Sequence, residues 1–177
     1  MSKKLFSVRE ISLIALFAAV IAISSWIAVP AAVPFTMQTF AVFFAAAVLG
    51  TKCGTAAVIV YILLGAVGLP VFSGFKGGVG VLFSATGGYI IGFIFAALVC
   101  GTLMKRFKKS LLSSVLSMAA GLAVCYVFGS AWFAFLHGVN FFAAVASCVL
   151  PFVIFDILKI VFAAVLSRKV GRYICLK

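Results

Sequence analysis

The chain has 177 residues, of which 67% are hydrophobic and 9% are charged, and its net charge is +12. Soluble globular domains are about 45–50% apolar and about 25% charged, so the composition excludes an ordinary soluble protein. Several membrane spans of about 20 residues each would use almost the whole length. We therefore predict a single all-α, multi-pass membrane domain that covers residues 1–177.

Six apolar segments follow one another along the chain. They cover about residues 7–29, 37–50, 54–69, 85–104, 111–136 and 141–167. The first follows basic residues, as in a signal peptide, but its apolar run of about 19 residues favours an uncleaved helix. The second and third are short for a span and flank the polar pair Thr51-Lys52, so we interpret them as broken or thinly spanning helices.

Positive charge predicts how these six passes are oriented. If both termini are cytoplasmic, the inner side holds every lysine and arginine except Lys76, in an outer connection, and Lys159, within the last segment. An excess of basic residues in inner loops is the main determinant of topology. An odd number of passes would place one basic terminus outside and remove this excess. The charge thus fits contact with anionic inner-leaflet lipid better than binding of nucleic acid.

Two connections on the predicted outer side are unusually apolar. The first contains Pro30 and Pro34, which interrupt helical continuity, and the second is the glycine-rich stretch GLPVFSGFKGGVGVLFSATGGY. Irregular backbone at membrane depth has to be buried in protein or line a cavity. We therefore predict that the second connection forms a lid or re-entrant wall over an outward-facing pocket.

The last apolar segment contains one of only two carboxylates in the chain. Asp156 and Lys159 are three residues apart, so they share one helix face and can pair. Each charge costs about 2.5–3.5 kcal/mol near the middle of a membrane. The pair is either a structural lock or a ligand site, in which Lys159 would bind an anionic group and Asp156 would accept N–H bonds. Because buried pairs seldom add net stability, we favour the ligand site.

Two further patterns leave alternatives open. Small residues at i, i+4 spacing in the first segment allow close approach of another helix, either within this chain or in a partner protein. These residues are Ala15, Ala18, Ala19 and Ala22. Ser130 and His137 could suggest an intramembrane serine protease, but no third group is present to orient the histidine. The chain has no Walker A motif and no metal-ligand cluster, so we predict a protein that is not an enzyme and needs no cofactor or metal.

The motifs VPFTMQTF, LLGAVGLPVFSGFKGG, TGGYIIGF and PFxxxDxxK occur in this order and together resemble the BioY family. Its members are the biotin-specific substrate-binding (S) components of energy-coupling-factor (ECF) vitamin transporters. The resemblance runs over nearly the whole chain. It implies a six-helix S-component fold in a prokaryotic plasma membrane, with cytoplasmic termini and high-affinity capture of biotin from outside. It also implies a transmembrane T-component and two ATP-binding cassette ATPases as partners.

The resemblance also implies roles for individual residues. Asp156 and Lys159 would bind the polar groups of biotin, the connection at about 71–84 would cover the site, and the four alanines would dock on the T-component. Further candidate ligand contacts are Phe35, Gln38, Gly77, Gly78, Thr86, Gly87, Gly88 and Tyr89. The alternative is a self-sufficient, proton-coupled transporter of a small organic anion, with Asp156 and Lys159 as the proton switch. It is weakened because the two halves show no matching broken helices.

Overall fold

The computed structural model describes residues 6–30, 33–107, 110–172 and 174. The predicted inner cations Lys3, Lys4, Lys108, Lys109 and Lys177 lie outside the described residues. The helices are α1 (Val8–Trp26), α2 (Gln38–Ala66), α3 (Val79–Leu82), α4 (Gly87–Arg106), α5 (Leu111–His137), α6 (Phe141–Cys148) and α7 (Val153–Val170). Two short strands, β1 (Ala28–Val29) and β2 (Phe35–Thr36), pair antiparallel between α1 and α2.

Helix α2 is a hairpin of two antiparallel arms. Gly50 interrupts it with φ 75° and ψ 179°, a backbone conformation that glycine adopts at low cost. Beyond Gly50 the chain runs back along itself, because Gln38 Nε2 donates to the Tyr61 hydroxyl at 2.6 Å although 23 residues separate them. A straight helix would place these residues about 34 Å apart. The arms, residues 38–49 and 51–66, correspond to the second and third predicted segments.

The reversal brings the number of apolar passes to six. Four helices of the described chain, α1, α2, α4 and α5, are long and apolar enough to cross a membrane, and α6 with α7 forms a fifth candidate bent by 64°. Counting the arms of α2 separately gives six passes, in the predicted order. The arms are about 18 and 24 Å long at 1.5 Å per residue, against about 30 Å of bilayer core. Both are short, as the sequence indicates.

The last predicted segment is not one continuous helix. Cys148 ends α6 and Val153 begins α7, and the break between them contains Pro151. Proline lacks the backbone N–H of a helix interior, and its ring clashes with the preceding turn. The bend therefore starts a new helix inside the bundle, with Asp156 in its first turn.

The two ends of the bundle differ in charge. Cys53, just after the reversal, lies 3.7 Å from the Glu10 carboxylate, so the start of α1 and the tip of α2 share one end. The ends of α4 and α7 lie there too, and the described basic residues of this end are Arg9, Lys52, Lys105, Arg106, Arg168, Lys169 and Arg172. Lys76 lies at the other end. The charge asymmetry predicted from the sequence is therefore present among the described residues, and a cytoplasmic basic end stays a prediction.

The four alanines of α1 do not form one exposed face. Ala18 and Ala22 continue the i, i+4 row of Ile14 and are buried in the core of this chain, whereas Ala15 and Ala19 are exposed. Helix α1 packs against α2, and the first row belongs to the core cluster of the chain. The predicted docking face is therefore wrong for Ala18 and Ala22, because their own chain already covers them.

Substitution of Gly54 by alanine tests the hairpin. A Cβ there would lie 2.7 Å from the Ala46 Cα in the opposite arm, so the two backbones must separate. We expect the Gly54→Ala variant to lose about 1–3 kcal/mol of stability, measured as a lower melting temperature in detergent. Gly80→Ala is the matched control, because a Cβ at Gly80 meets nothing within 4 Å. Equal melting temperatures for the two variants would contradict a close antiparallel packing of the arms.

Candidate ligand-binding site

A cavity of about 390 Å³ opens at the end of the bundle opposite Gly50. Its volume lies within the range of about 300–1,000 Å³ that is typical of small-molecule sites. The walls come from the segment that contains β2, the start of α2, the connection between α2 and α4, and the helices α4 to α7. The lining is mostly apolar, with polar groups from the helices at one pole and from the connection at the other.

The polar groups of the helix pole form one network around Asp156 and Lys159. The Lys159 ammonium donates to Asp156 Oδ1 at 2.9 Å, to the Thr36 carbonyl at 2.6 Å and to Thr39 Oγ1 at 3.3 Å. Its three N–H donors are thus all used within the chain. The ammonium also lies 3.4 Å from the centre of the Phe35 ring, a cation–π contact that favours the charged form.

The Asp156 carboxylate is equally well satisfied. Its Oδ1 accepts from Thr39 Oγ1 at 3.1 Å as well as from Lys159, and its Oδ2 accepts from the Tyr126 hydroxyl at 2.6 Å. Asp156 and Lys159 are only 5% and 7% exposed. Such a pair offsets its burial cost only when hydrogen bonds satisfy the remaining lone pairs and protons. Here all three protons of Lys159 and three of the four lone-pair sites of Asp156 have partners, and the fourth site, on Oδ2, is left for a ligand. The network is therefore neutral overall while it lines the cavity.

The break at Pro151 explains how Asp156 reaches this position. It starts α7 at Val153, so that Asp156 lies in the first turn, where a carboxylate interacts favourably with the helix dipole. The ring of Phe152, next to the break, stacks on Phe35 at 5.2 Å between centroids. This stack joins the start of α7 to β2, which supplies the Thr36 carbonyl for Lys159.

The connection between α2 and α4 forms one wall of the cavity, as predicted for the lid. Phe72 and Lys76 pair through the Phe72 N–H, which donates to the Lys76 carbonyl at 3.0 Å. The end of α1 holds this wall, because Ser25 Oγ donates to the Val71 carbonyl and Trp26 Nε1 to that of Pro70. The lid is thus fixed to the bundle by hydrogen bonds on its α1 side.

The structure brings six of the ten predicted ligand contacts to the cavity. They are Phe35, Gln38, Thr86, Tyr89, Asp156 and Lys159. Gly77, Gly78, Gly87 and Gly88 do not line it. A Cβ on Gly77 would clash with the Gly68 and Leu69 carbonyls, one on Gly87 with Leu82, and one on Gly88 with Trp132. Gly78 has φ 95° and donates its N–H to the Gly65 carbonyl. Gly77, Gly87 and Gly88 therefore permit close packing against other parts of the chain, whereas Gly78 permits a positive φ.

Two parts of the sequence interpretation change with this geometry. Tyr126 and Thr39 belong to the network although the sequence analysis did not select them; Tyr126 lies 30 residues before Asp156, and no spacing rule joins them. From the sequence we expect Lys159 to bind an anionic group of the ligand. In the structure, however, all three N–H donors of its ammonium already have partners within the chain. Ser130 contacts the Tyr89 hydroxyl and His137 the Phe133 carbonyl, so these two residues are not paired as nucleophile and base.

An apolar helical bundle with a closed polar network in a cavity at one end defines a membrane protein that binds a small solute. Comparison with known proteins then gives its family. The BioY family model matches residues 1–175, and the chain belongs to the BioY family.

The chain matches three curated relatives over almost the full length of both proteins. The chain is 43% identical to the biotin transporter BioY of Thermotoga maritima over 170 residues, which are 93% of this chain and 96% of that one. It is 40% identical to a probable biotin transporter BioY of Pyrococcus horikoshii, with 91% and 95% covered. It is 37% identical to the biotin transporter BioY of Rhizobium etli, with 93% and 94% covered.

The fold also matches a solved structure. A 2.1 Å crystal structure of the S-component for biotin from an ECF-type ABC transporter superposes with a TM-score of 0.88. The match covers 93% of this chain and 92% of that chain at 24% identity. The S-component fold expected from the sequence is therefore confirmed.

Removal of one partner of the ion pair should be more harmful than removal of both. In the Lys159→Met variant, Asp156 keeps a buried charge without its cation, and we expect a loss of about 3–5 kcal/mol. The double variant Asp156→Asn, Lys159→Met removes both charges and keeps an oxygen that can accept from Tyr126. Its melting temperature in detergent should recover most of the loss. A double variant no more stable than Lys159→Met would show that the pair is not coupled in this way.

Proposed function

We propose that this protein captures biotin from outside the cell and, with partner subunits, delivers it across a prokaryotic plasma membrane. The observation that carries the proposal is the neutral network of Asp156, Lys159, Thr39 and Tyr126 in a largely apolar cavity of about 390 Å³, in a chain of the BioY family. The relatives from Thermotoga maritima and Rhizobium etli are biotin transporters.

The cavity chemistry suits the parts of biotin. The bicyclic ring is apolar at its edges and requires apolar walls, such as the rings of Phe35 and Phe93. The ureido group is neutral, with two N–H donors and one carbonyl acceptor. Asp156 Oδ2 accepts only from Tyr126 within the chain, so its second lone pair can accept from one ureido N–H group, and hydrogen bonds to a charged acceptor in a low-dielectric site are strong. The Tyr126 hydroxyl, already beside Asp156, and the amide of Gln38 are further polar partners within the cavity wall.

No reaction is needed for this function. Binding and release of the vitamin would be the whole task of this subunit, and ATP would be hydrolysed by two cassette ATPases joined through a T-component. The exposed row of α1 that contains Ala15 and Ala19 is the surface that we propose for the T-component, since small residues permit close helix contact in lipid.

The ligand proposal is tested by titration of the purified protein. Calorimetry with biotin, dethiobiotin, thiamine and riboflavin should show tight binding of biotin and no binding of the two unrelated vitamins. The Asp156→Asn variant should lose at least about tenfold in biotin affinity, because it replaces a charged acceptor by a neutral one.

The matched control for this titration is Lys105→Met, which removes a charge at the opposite end of the bundle. It should bind biotin as the wild type does. Unchanged biotin affinity in Asp156→Asn would remove Asp156 from the site, and tight binding of thiamine or riboflavin would overturn the ligand class.

The partner surface is tested separately from binding. We expect the double variant Ala15→Trp, Ala19→Trp to bind biotin normally but to lose uptake in biotin-auxotrophic cells that co-express an ECF T-component and its ATPases, since two indole rings prevent close helix contact. Leu116→Trp, at an exposed position of α5, is the control and should retain uptake. Normal uptake by the Ala15→Trp, Ala19→Trp variant would show that the T-component binds to another surface.

A further inference from the structure

The cavity is lined by two lysines, and only one of them is neutralised. Lys159 is 7% exposed and is bonded to the Asp156 carboxylate, to the Thr36 carbonyl and to Thr39. An anionic group of a ligand could reach this ammonium only by displacing one of these partners. It would also bring a second carboxylate close to Asp156, and like charges at short range in a site of low dielectric repel strongly.

Lys76 also lines the cavity and has no acidic partner. Among the described residues its ammonium makes no hydrogen bond, ion pair or ring contact. The chain has only two carboxylates. One is Asp156, paired with Lys159, and the other is Glu10, which accepts from the Ser7 N–H at the opposite end of the bundle. Neither acidic side chain of this chain is therefore available to Lys76, and among the described residues the cavity lining carries one uncompensated positive charge.

The backbone around Lys76 is held in place, although its side chain is exposed. Lys76 pairs with Phe72 across a tight turn in which Gly74 and Phe75 have positive φ. The Phe75 ring stacks on Trp26 of α1 at 4.9 Å between centroids. These contacts keep the root of the lysine at the wall of the cavity, so that its ammonium can reach the entrance without a rearrangement of the lid.

We propose that Lys76 binds the carboxylate of the ligand and thereby orients it in the cavity. The neutral bicyclic end then lies at the helix pole beside Asp156 and Tyr126, and the acid tail points to the connection between α2 and α4. Lys159 is a positioning residue in this arrangement, because it holds Asp156 and neutralises it. The inference rests on the proposed function and assigns the anionic end of the same ligand to a different lysine.

The test compares biotin with biotinamide, which has a neutral carboxamide in place of the carboxylate. The wild type should prefer biotin by about tenfold or more, as expected for a charge-assisted contact. In Lys76→Met the affinity for biotin should fall and that for biotinamide should stay nearly constant, so that the preference falls to within about threefold. Lys76→Arg keeps the charge and should keep the preference, and Lys105→Met is the control for loss of a remote cation.

The outcomes separate this inference from the proposed function. A wild type that binds neither compound would overturn the proposed function and the inference with it. A wild type that binds biotin without preference over biotinamide, or a Lys76→Met variant that keeps the full preference, would overturn the inference alone.

A second measurement needs no variant. The N-hydroxysuccinimide ester of biotin acylates an amine close to the tail of the bound ligand. We expect modification of Lys76 that free biotin suppresses and that the ester of acetic acid does not reproduce at the same concentration. Biotin-protected modification of Lys159 instead would overturn the inference, even if Lys76→Met cannot be purified.

Discussion

The buried ion pair of Asp156 and Lys159 is the constraint on which the rest of the structure depends. Two charges in a membrane-embedded bundle are tolerated only if every donor and acceptor finds a partner. The partners come from three other segments: the Thr36 carbonyl from β2, Thr39 from the first turn of α2, and Tyr126 from α5. The pair therefore fixes how α7 lies against α2 and α5, and the cavity is the space left beside that junction.

The hairpin of α2 gives the molecule two different ends. Because the chain reverses at Gly50, both the start and the end of α2 lie at the end of the bundle that contains the cavity, where Gln38 is hydrogen-bonded to Tyr61. The tip of the hairpin lies among the basic residues at the other end. Short arms and glycine contacts between backbones let the passes approach closely, as is usual where apolar packing rather than water drives helix association. The reversal at Gly50 therefore separates the end that contains the cavity from the end that carries the basic residues.

Helix α1 connects two surfaces that have different tasks in the proposed function. Its last turn holds the lid through Ser25 and Trp26, and its exposed row carries Ala15 and Ala19. The two lysines of the cavity also differ in their surroundings. Lys159 is buried in the packed interior, whereas Lys76 is exposed on the lid. The fixed, neutral pole of the cavity suits recognition of a neutral ring, and the exposed pole suits a charged tail that arrives from water.

The sequence by itself determined the membrane class, the six apolar segments and the separation of basic residues, and it predicted a role for Asp156 and Lys159 as rare charges in the last segment, because apolar runs and isolated charges are local properties. The motifs also gave the BioY family, which the family model and the relatives confirm. Only the tertiary structure decided that α6 and α7 are separate, that Tyr126 completes the network, and that Gly77, Gly87 and Gly88 pack against other parts of the chain instead of lining the cavity. It also showed that Ala18 and Ala22 are buried within the chain, whereas Ala15 and Ala19 are exposed. Periodicity shows which residues can be buried, but the neighbour that covers each face depends on where helices distant in sequence cross.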